Sequence, residues 1–164
     1  MFALAPTDSA SPANLLEGLL EQARALLQGE RDPVANAANL SALIFHTLPG
    51  LNWAGFYWMK GGELVLGPFQ GKPACVRIAL GRGVCGTAAR ERRTIVVPDV
   101  DKFPGHIACD SASRSEIVVP VVSEGEVMGV LDIDSPALAR FDEAHAQALE
   151  RLVADFVAAT DLGS

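Results

Sequence analysis

Ser115-Glu116-Ile117-Val118-Val119-Pro120-Val121-Val122-Ser123-Glu124-Gly125-Glu126-Val127-Met128-Gly129-Val130-Leu131-Asp132-Ile133-Asp134-Ser135 reads as two β-branched runs folded about a short polar turn. A three-residue loop, Ser123-Glu124-Gly125, with Gly125 left-handed sets Val122 against Glu126 and Glu116 opposite Asp132. A four-residue loop sets Glu116 against Ile133 instead. Pro120 has no N–H for a ladder, so its strand is an edge there or carries a bulge, and the register is open by one residue. Under either register Asp132 and Asp134 share a face, because side chains alternate along a strand.

Upstream, Pro98 to Ser115 is polar and irregular, a loop of ~16 residues, and connections of that length in a compact domain are usually functional or disordered. It contains Gly105-His106-Ile107-Ala108-Cys109-Asp110. Thr94-Ile95-Val96-Val97 before it reads as a strand, and Gly81-Arg82-Gly83-Val84-Cys85-Gly86 as a turn opening a short helix through Ala88 to Arg92. Without a following Lys-Ser or Lys-Thr, that Gly-rich turn is neither a phosphate loop nor a dinucleotide fingerprint. Cys75 leads into a strand over Val76-Arg77-Ile78-Ala79. Asn52 to Met59 and Glu63 to Gly67, joined at Lys60-Gly61-Gly62, form another hairpin, with Trp53, Gly55, Tyr57 and Met59 on one face. On pattern alone, Trp53 and Tyr57 are core residues.

Two helices precede the strands. Ser11-Pro12 and Asp32-Pro33 are start signals, and leucines at helical spacing run to Gly29 and to Pro49-Gly50. His46 falls on the polar side or the packed border of the second helix. Pro136 ends the last strand, and Asp142 caps a final helix with the stripe Leu149, Leu152, Val153, Phe156 and Val157. His145 in its first turn is expected to be solvated. Strands joined mostly by hairpins, with helices around them, predict an α+β fold with an antiparallel sheet of about six strands. We expect one domain over residues 1–164, with residues 1–10 a loose lead-in.

Composition agrees with such a domain. The 164 residues are 49% hydrophobic and 20% charged, enough to bury roughly 70% of the unfolded surface without a staple. No apolar run approaches the roughly 20 residues of a membrane helix. The N-terminus has no basic region, and Pro6 and Asp8 interrupt any signal core, so a cytoplasmic protein is expected. A formal charge of −7 disfavours nucleic acid and anionic lipid. A small solute is the expected partner. Three cysteines without a Cys-x-x-Cys pair make no secreted disulfide framework, and in a reducing compartment they are free thiols by default.

His106, Cys109, Cys75 and Cys85 could form a four-ligand zinc set, but such sites usually bring close Cys pairs, and no metal is expected. An inert buried thiol suits Cys85 between Val84 and Gly86 better than Cys109 beside Asp110. A nucleophilic Cys109 near carboxylates has a handicap, since negative neighbours raise a thiol pKa. The same neighbours suit a reaction that consumes a proton. Crowded carboxyls cannot all ionise, and one kept neutral can protonate a leaving oxygen such as that of a sulfoxide. An acidic pocket also attracts an ammonium group.

Asn52-Trp53-Ala54-Gly55-Phe56-Tyr57, Leu66-Gly67-Pro68-Phe69-Gln70-Gly71, Gly81-Arg82-Gly83-Val84-Cys85-Gly86-Thr87-Ala88, Gly105 to Asp110, Ser115-Glu116-Ile117-Val118 and Gly129 to Ser135 resemble the free methionine-(R)-sulfoxide reductases, which have the GAF-domain fold. The similarity runs from about Leu40 to the final helix. It implies Cys109 as nucleophile, Cys75 as the thiol that resolves its sulfenic acid into a disulfide, and Cys85 as an alternative resolver or relay. It implies Glu116, Asp132 and Asp134 as acids that bind the substrate ammonium and protonate the sulfoxide oxygen, Glu116 among the catalytic groups, and Trp53 and Tyr57 as the enclosure of the S-methyl group. The substrate carboxylate would meet backbone N–H groups before Cys109. The resemblance further implies thioredoxin as reductant, with NADPH behind it, no bound cofactor, and a homodimer. The rival readings are a non-catalytic GAF module for a small ligand and a thiol redox sensor.

Overall fold

The computed structural model describes residues 1–5, 10–107 and 109–163. Residues 6–9 of the expected lead-in lie outside the described residues. In chain order the elements are α1 (Pro12–Leu27), α2 (Pro33–Thr47), β1 (Trp53–Lys60), β2 (Glu63–Gly71), β3 (Arg77–Ala79), α3 (Gly83–Glu91), β4 (Ile95–Val97), a 3-10 turn (Val100–Lys102), β5 (Ser115–Ser123), β6 (Glu126–Ser135) and α4 (Glu143–Ala159). The strands form one antiparallel sheet in the order β3-β2-β1-β6-β5-β4. The α+β expectation holds.

The helices start where the sequence signals them. Ser11 accepts from Asn14 N at 3.2 Å and Asp32 from Ala35 N at 2.8 Å, each followed by Pro in the first turn. Asp142 accepts from His145 N at 3.1 Å, and the His145 ring returns to the Asp142 backbone N–H, closing a capping box. His145 is therefore not solvated, as its position in a first turn suggested. It is buried, with Nε2 2.9 Å from Arg140 Nη1. His46 is exposed, on the polar side of α2.

The β5–β6 register differs from both sequence expectations. Ser123 pairs with Glu126 across a two-residue turn in which Glu124 (φ 51°) and Gly125 (φ 79°) are both left-handed. Such a turn matches the right-handed strand twist, but Glu does not announce a positive φ. An irregularity at Met128 then shifts the pairing by one, so that Val121 faces Gly129 and Glu116 faces Asp134. Pro120 meets its constraint at an edge, because β4 begins at Ile95, opposite Val118, and does not reach Pro120.

The sheet is covered on both faces, which is why β5 and β6 read as nearly continuous apolar runs. Ala54, Phe56, Ile117, Val119, Leu131 and Ile133 point into the core beneath α1, α2 and α4. Trp53, Tyr57, Val118 and Val130 point the other way, toward α3 and the β2–β3 connection. Glu116, Asp132 and Asp134 share parity with this second set. A one-residue slip would drive the acids into the helical core, so packing enforces the register.

Candidate active site

β1, β5 and β6 lie side by side, and their second face forms the floor of a cavity lined by Trp53, Tyr57, Glu116, Asp132 and Asp134. Cys85, on the first turn of α3, closes one wall, and His106, Cys109 and Asp110 of the long loop close another. The free volume left is about 30 Å³, room for one or two waters. The structure thus brings together nearly every residue singled out from the sequence. Cys75, near its rim, is joined to Cys109 in a disulfide with Cα atoms 5.6 Å apart, while Cys85 is a buried free thiol. The four-ligand zinc set is accordingly not formed. Among the described residues, Cys85, Glu116 and Asp132 each offer one atom within 4.8 Å of the others, a set able to hold a metal.

Both aromatic residues are buried as core packing requires, yet they also wall the cavity. Trp53 stacks between Tyr57 (centroids 5.8 Å) and Phe69 (5.2 Å), and its Nε1 donates to Lys72 O at 3.1 Å. Tyr57 Oη donates to Cys75 O at 3.0 Å, tying β1 to the disulfide. Gly55 between them is required by space. A Cβ there would lie 2.3 Å from Phe69 Cβ and 2.8 Å from both Phe69 Cα and Trp53 Cη2.

The carboxyls share one electrostatic problem. Burial holds Glu116, Asp132 and Asp134 well above the usual carboxylate range, and each is pushed further by an acidic neighbour: Glu116 by Asp134, Asp132 by Glu116, Asp134 by Asp132. Cys85 is raised in the same way, by burial first and then by Asp132, and its Sγ lies 3.9 Å from Glu116 Oε1. Among the described residues no Lys or Arg pairs with the three acids. Among the described residues the basic side chain paired with one of them is His106, whose Nε2 is 3.5 Å from Glu116 Oε2. Asp132 Oδ1 is buried with no hydrogen-bond partner among the described residues. So acidic a hollow keeps protons on its carboxyls or takes in a cation.

Sequence reasoning passed over the residues that hold the loop. Asn52 Nδ2 donates to Asp110 Oδ2 (3.1 Å) and Ser113 Oγ (2.9 Å), and Asp110 also accepts from Ala112 N at 2.9 Å, which keeps its carboxyl below the usual range. The available signal was Asn52 inside the string that continues to Trp53 and Tyr57. His106 was considered only as a metal ligand, although it stands three residues before Cys109.

A two-faced antiparallel sheet enclosing a small polar cavity on the side away from its main helices defines the class. A model described as "GAF domain" matches residues 34–161, and the chain belongs to that family. Within it, the chain is a member of the free methionine-R-sulfoxide reductases. It is 54% identical over 130 residues to the Escherichia coli free methionine-R-sulfoxide reductase, covering 79% of each chain. To the Saccharomyces cerevisiae enzyme of that name it is 49% identical over 146 residues, covering 84% of this chain and 81% of that one. The structure of the Neisseria meningitidis free methionine-R-sulfoxide reductase in complex with its substrate superposes with a TM-score of 0.93 at 46% identity, over 97% of this chain and 95% of that one. No helix among the described residues is long and apolar enough to cross a membrane.

Proposed function

We propose that this protein reduces free methionine-(R)-sulfoxide to methionine. The observation that carries the reading is a disulfide set against buried carboxyls that have no Lys or Arg partner, one of them with an unpartnered oxygen. The relatives' names support it. Cys109 attacks the sulfoxide sulfur as a protonated carboxyl gives its proton to the oxygen. The sulfur–oxygen bond and the new bond to Cys109 break as the oxygen passes to the Cys109 sulfur, so methionine leaves with the two electrons and Cys109 becomes a sulfenic acid. The Cys75 thiol displaces that oxygen as water, forming the Cys75–Cys109 disulfide. Thioredoxin then reduces the disulfide, with NADPH the distant electron source and no cofactor bound.

Glu116 and Asp132 act as a dyad sharing protons, since like charges this close do not both ionise. Asp132 Oδ1 and Asp134 take the substrate ammonium, and Trp53 and Tyr57 enclose the S-methyl group. Cys85, kept as a thiol by burial and then by the acids around it, is a hydrogen-bond donor to Glu116 and a second candidate for resolving Cys109. A sulfoxide within a polypeptide brings no ammonium, so it leaves these acids unpaired and is rejected.

The test is NADPH consumption by the reduced protein with thioredoxin, thioredoxin reductase and free methionine-(R)-sulfoxide, methionine being quantified in parallel. Stoichiometric methionine and NADP⁺ are expected. No methionine, while a known reductase turns over alongside, rejects the enzyme and favours a ligand-binding GAF module.

A further inference from the structure

His106 is the ionisable neighbour of the carboxyls to which the chemistry above assigns no task. Its Nε2 stands 3.5 Å from Glu116 Oε2, and its side chain is 14% exposed against 8% for Glu116. It therefore lies between a buried acid and solvent. The groups facing it are Glu116 from β5 and Asp101 from the 3-10 turn, with Cys85, Asp132, Asp134, Asp110 and Lys72 around the rest of the cavity. Burial holds the imidazole below its ordinary range, while Asp101 opposes that, and burial holds Glu116 well above its own. The ring and the carboxyl are thus an acid–base pair in direct contact at the cavity wall.

We propose that His106 is a proton-relay residue, which carries protons from solvent to the Glu116 carboxylate after each reduction so that Glu116 can protonate the next sulfoxide oxygen. The proposal rests on the reductase reading and deepens it. The proton balance closes. Cys109 loses its thiol proton to water before attack, and Glu116 gives its own to the oxygen as the Cys109–sulfur bond forms. The Cys109–sulfur and sulfur–oxygen bonds then break as the oxygen passes to the Cys109 sulfur, which leaves methionine with two more electrons on its sulfur, Cys109 as a sulfenic acid and Glu116 as a carboxylate. Imidazolium at His106 returns a proton to it and is recharged from water, so the proton shed by the thiol is the one regained through the ring. The disulfide-bonded structure corresponds to a stage after product has gone.

The experiment uses the full chain with dithiothreitol as reductant, so that thioredoxin docking plays no part. For His106→Gly we expect kcat to fall about 100-fold, the lower end of a positioned acid–base contribution, with KM within about threefold of native. Imidazole at tens of millimolar should restore about tenfold of the loss. His106→Gln, which keeps bulk without a titratable ring, should lose as much and gain nothing from imidazole. Its kcat should fall steadily with rising pH where the native protein is flat. Near-native kcat in His106→Gln, a loss carried by KM, or no recovery of His106→Gly with imidazole overturns the relay. If His106→Gly does not fold, the pH profile of His106→Gln decides alone. A native protein that makes no methionine under the same conditions rejects the reductase reading, a distinct result.

Discussion

Asp132 joins stability and chemistry at a single side chain. Its folded pKa is raised by burial and by Glu116, so the folded chain binds more protons than the unfolded one above about pH 4. Stability is thus fully present below the unfolded pKa and is lost as pH rises toward the folded value. Asp132→Asn removes that loss. It should melt a few degrees higher than native at pH 7–8, of the order of 1 kcal/mol, with the advantage shrinking toward pH 4, and activity should drop steeply. Melting curves across that range check it, and a pH-independent difference contradicts the raised pKa. The thiols make separate predictions. Cys109→Ser should release no methionine. Cys75→Ser should release about one equivalent and then stall with thioredoxin, in a quenched-flow count of methionine per chain.

β1 shows how an element positions a site by what it omits. Gly55 lets Trp53 and Phe69 stack at 5.2 Å over the place where its Cβ would be. Gly55→Ala should push Phe69 and the β2 backbone away and disturb the Trp53 stack, at a cost of about 1–3 kcal/mol, visible as a lower melting point and a raised KM for the sulfoxide. An unchanged melting point together with an unchanged KM would contradict the close approach of β1, Phe69 and Trp53. α4 supplies the contrast. Its Asp142 cap with His145 lies on the opposite side of the sheet from the acids, so Asp142→Ala should cost about 1 kcal/mol of stability and leave kcat as it was. Chemical denaturation together with the reductase assay tests both statements.

Across the whole molecule, the disulfide links the β2–β3 connection to the long loop over a separation of 34 residues. Closing a loop of that length stabilises the oxidised form by about 4 kcal/mol in the chain-entropy account, so reduction should lower the melting temperature by roughly 10 °C. With about 30 Å³ free, the oxidised cavity holds water but no amino acid. Calorimetry should therefore detect sulfoxide binding to a reduced, Cys109→Ser chain and none to the oxidised native protein. Binding to the oxidised form would mean that the loop opens without reduction.

Much of this was legible along the chain. The capped helices, the two hairpins and the acidic pair Asp132 and Asp134 follow from local periodicity and turn chemistry, which act over a few residues. The β5–β6 register did not follow, because it depends on a left-handed Glu124 and an irregularity at Met128. His145 was misplaced because burial by Arg140 and Phe141 is invisible from a first-turn position. The sequence by itself determined the element types, the antiparallel class and the residue kinds of the site: three thiols, three acids and two aromatics. The family resemblance implied that Cys75 pairs with Cys109, as the structure has it, but only the tertiary structure decided that Glu116 faces Asp134, that Asn52 holds the loop and that His106 stands against Glu116. Those contacts join distant segments, and they are set by how the two covered faces of one sheet must pack.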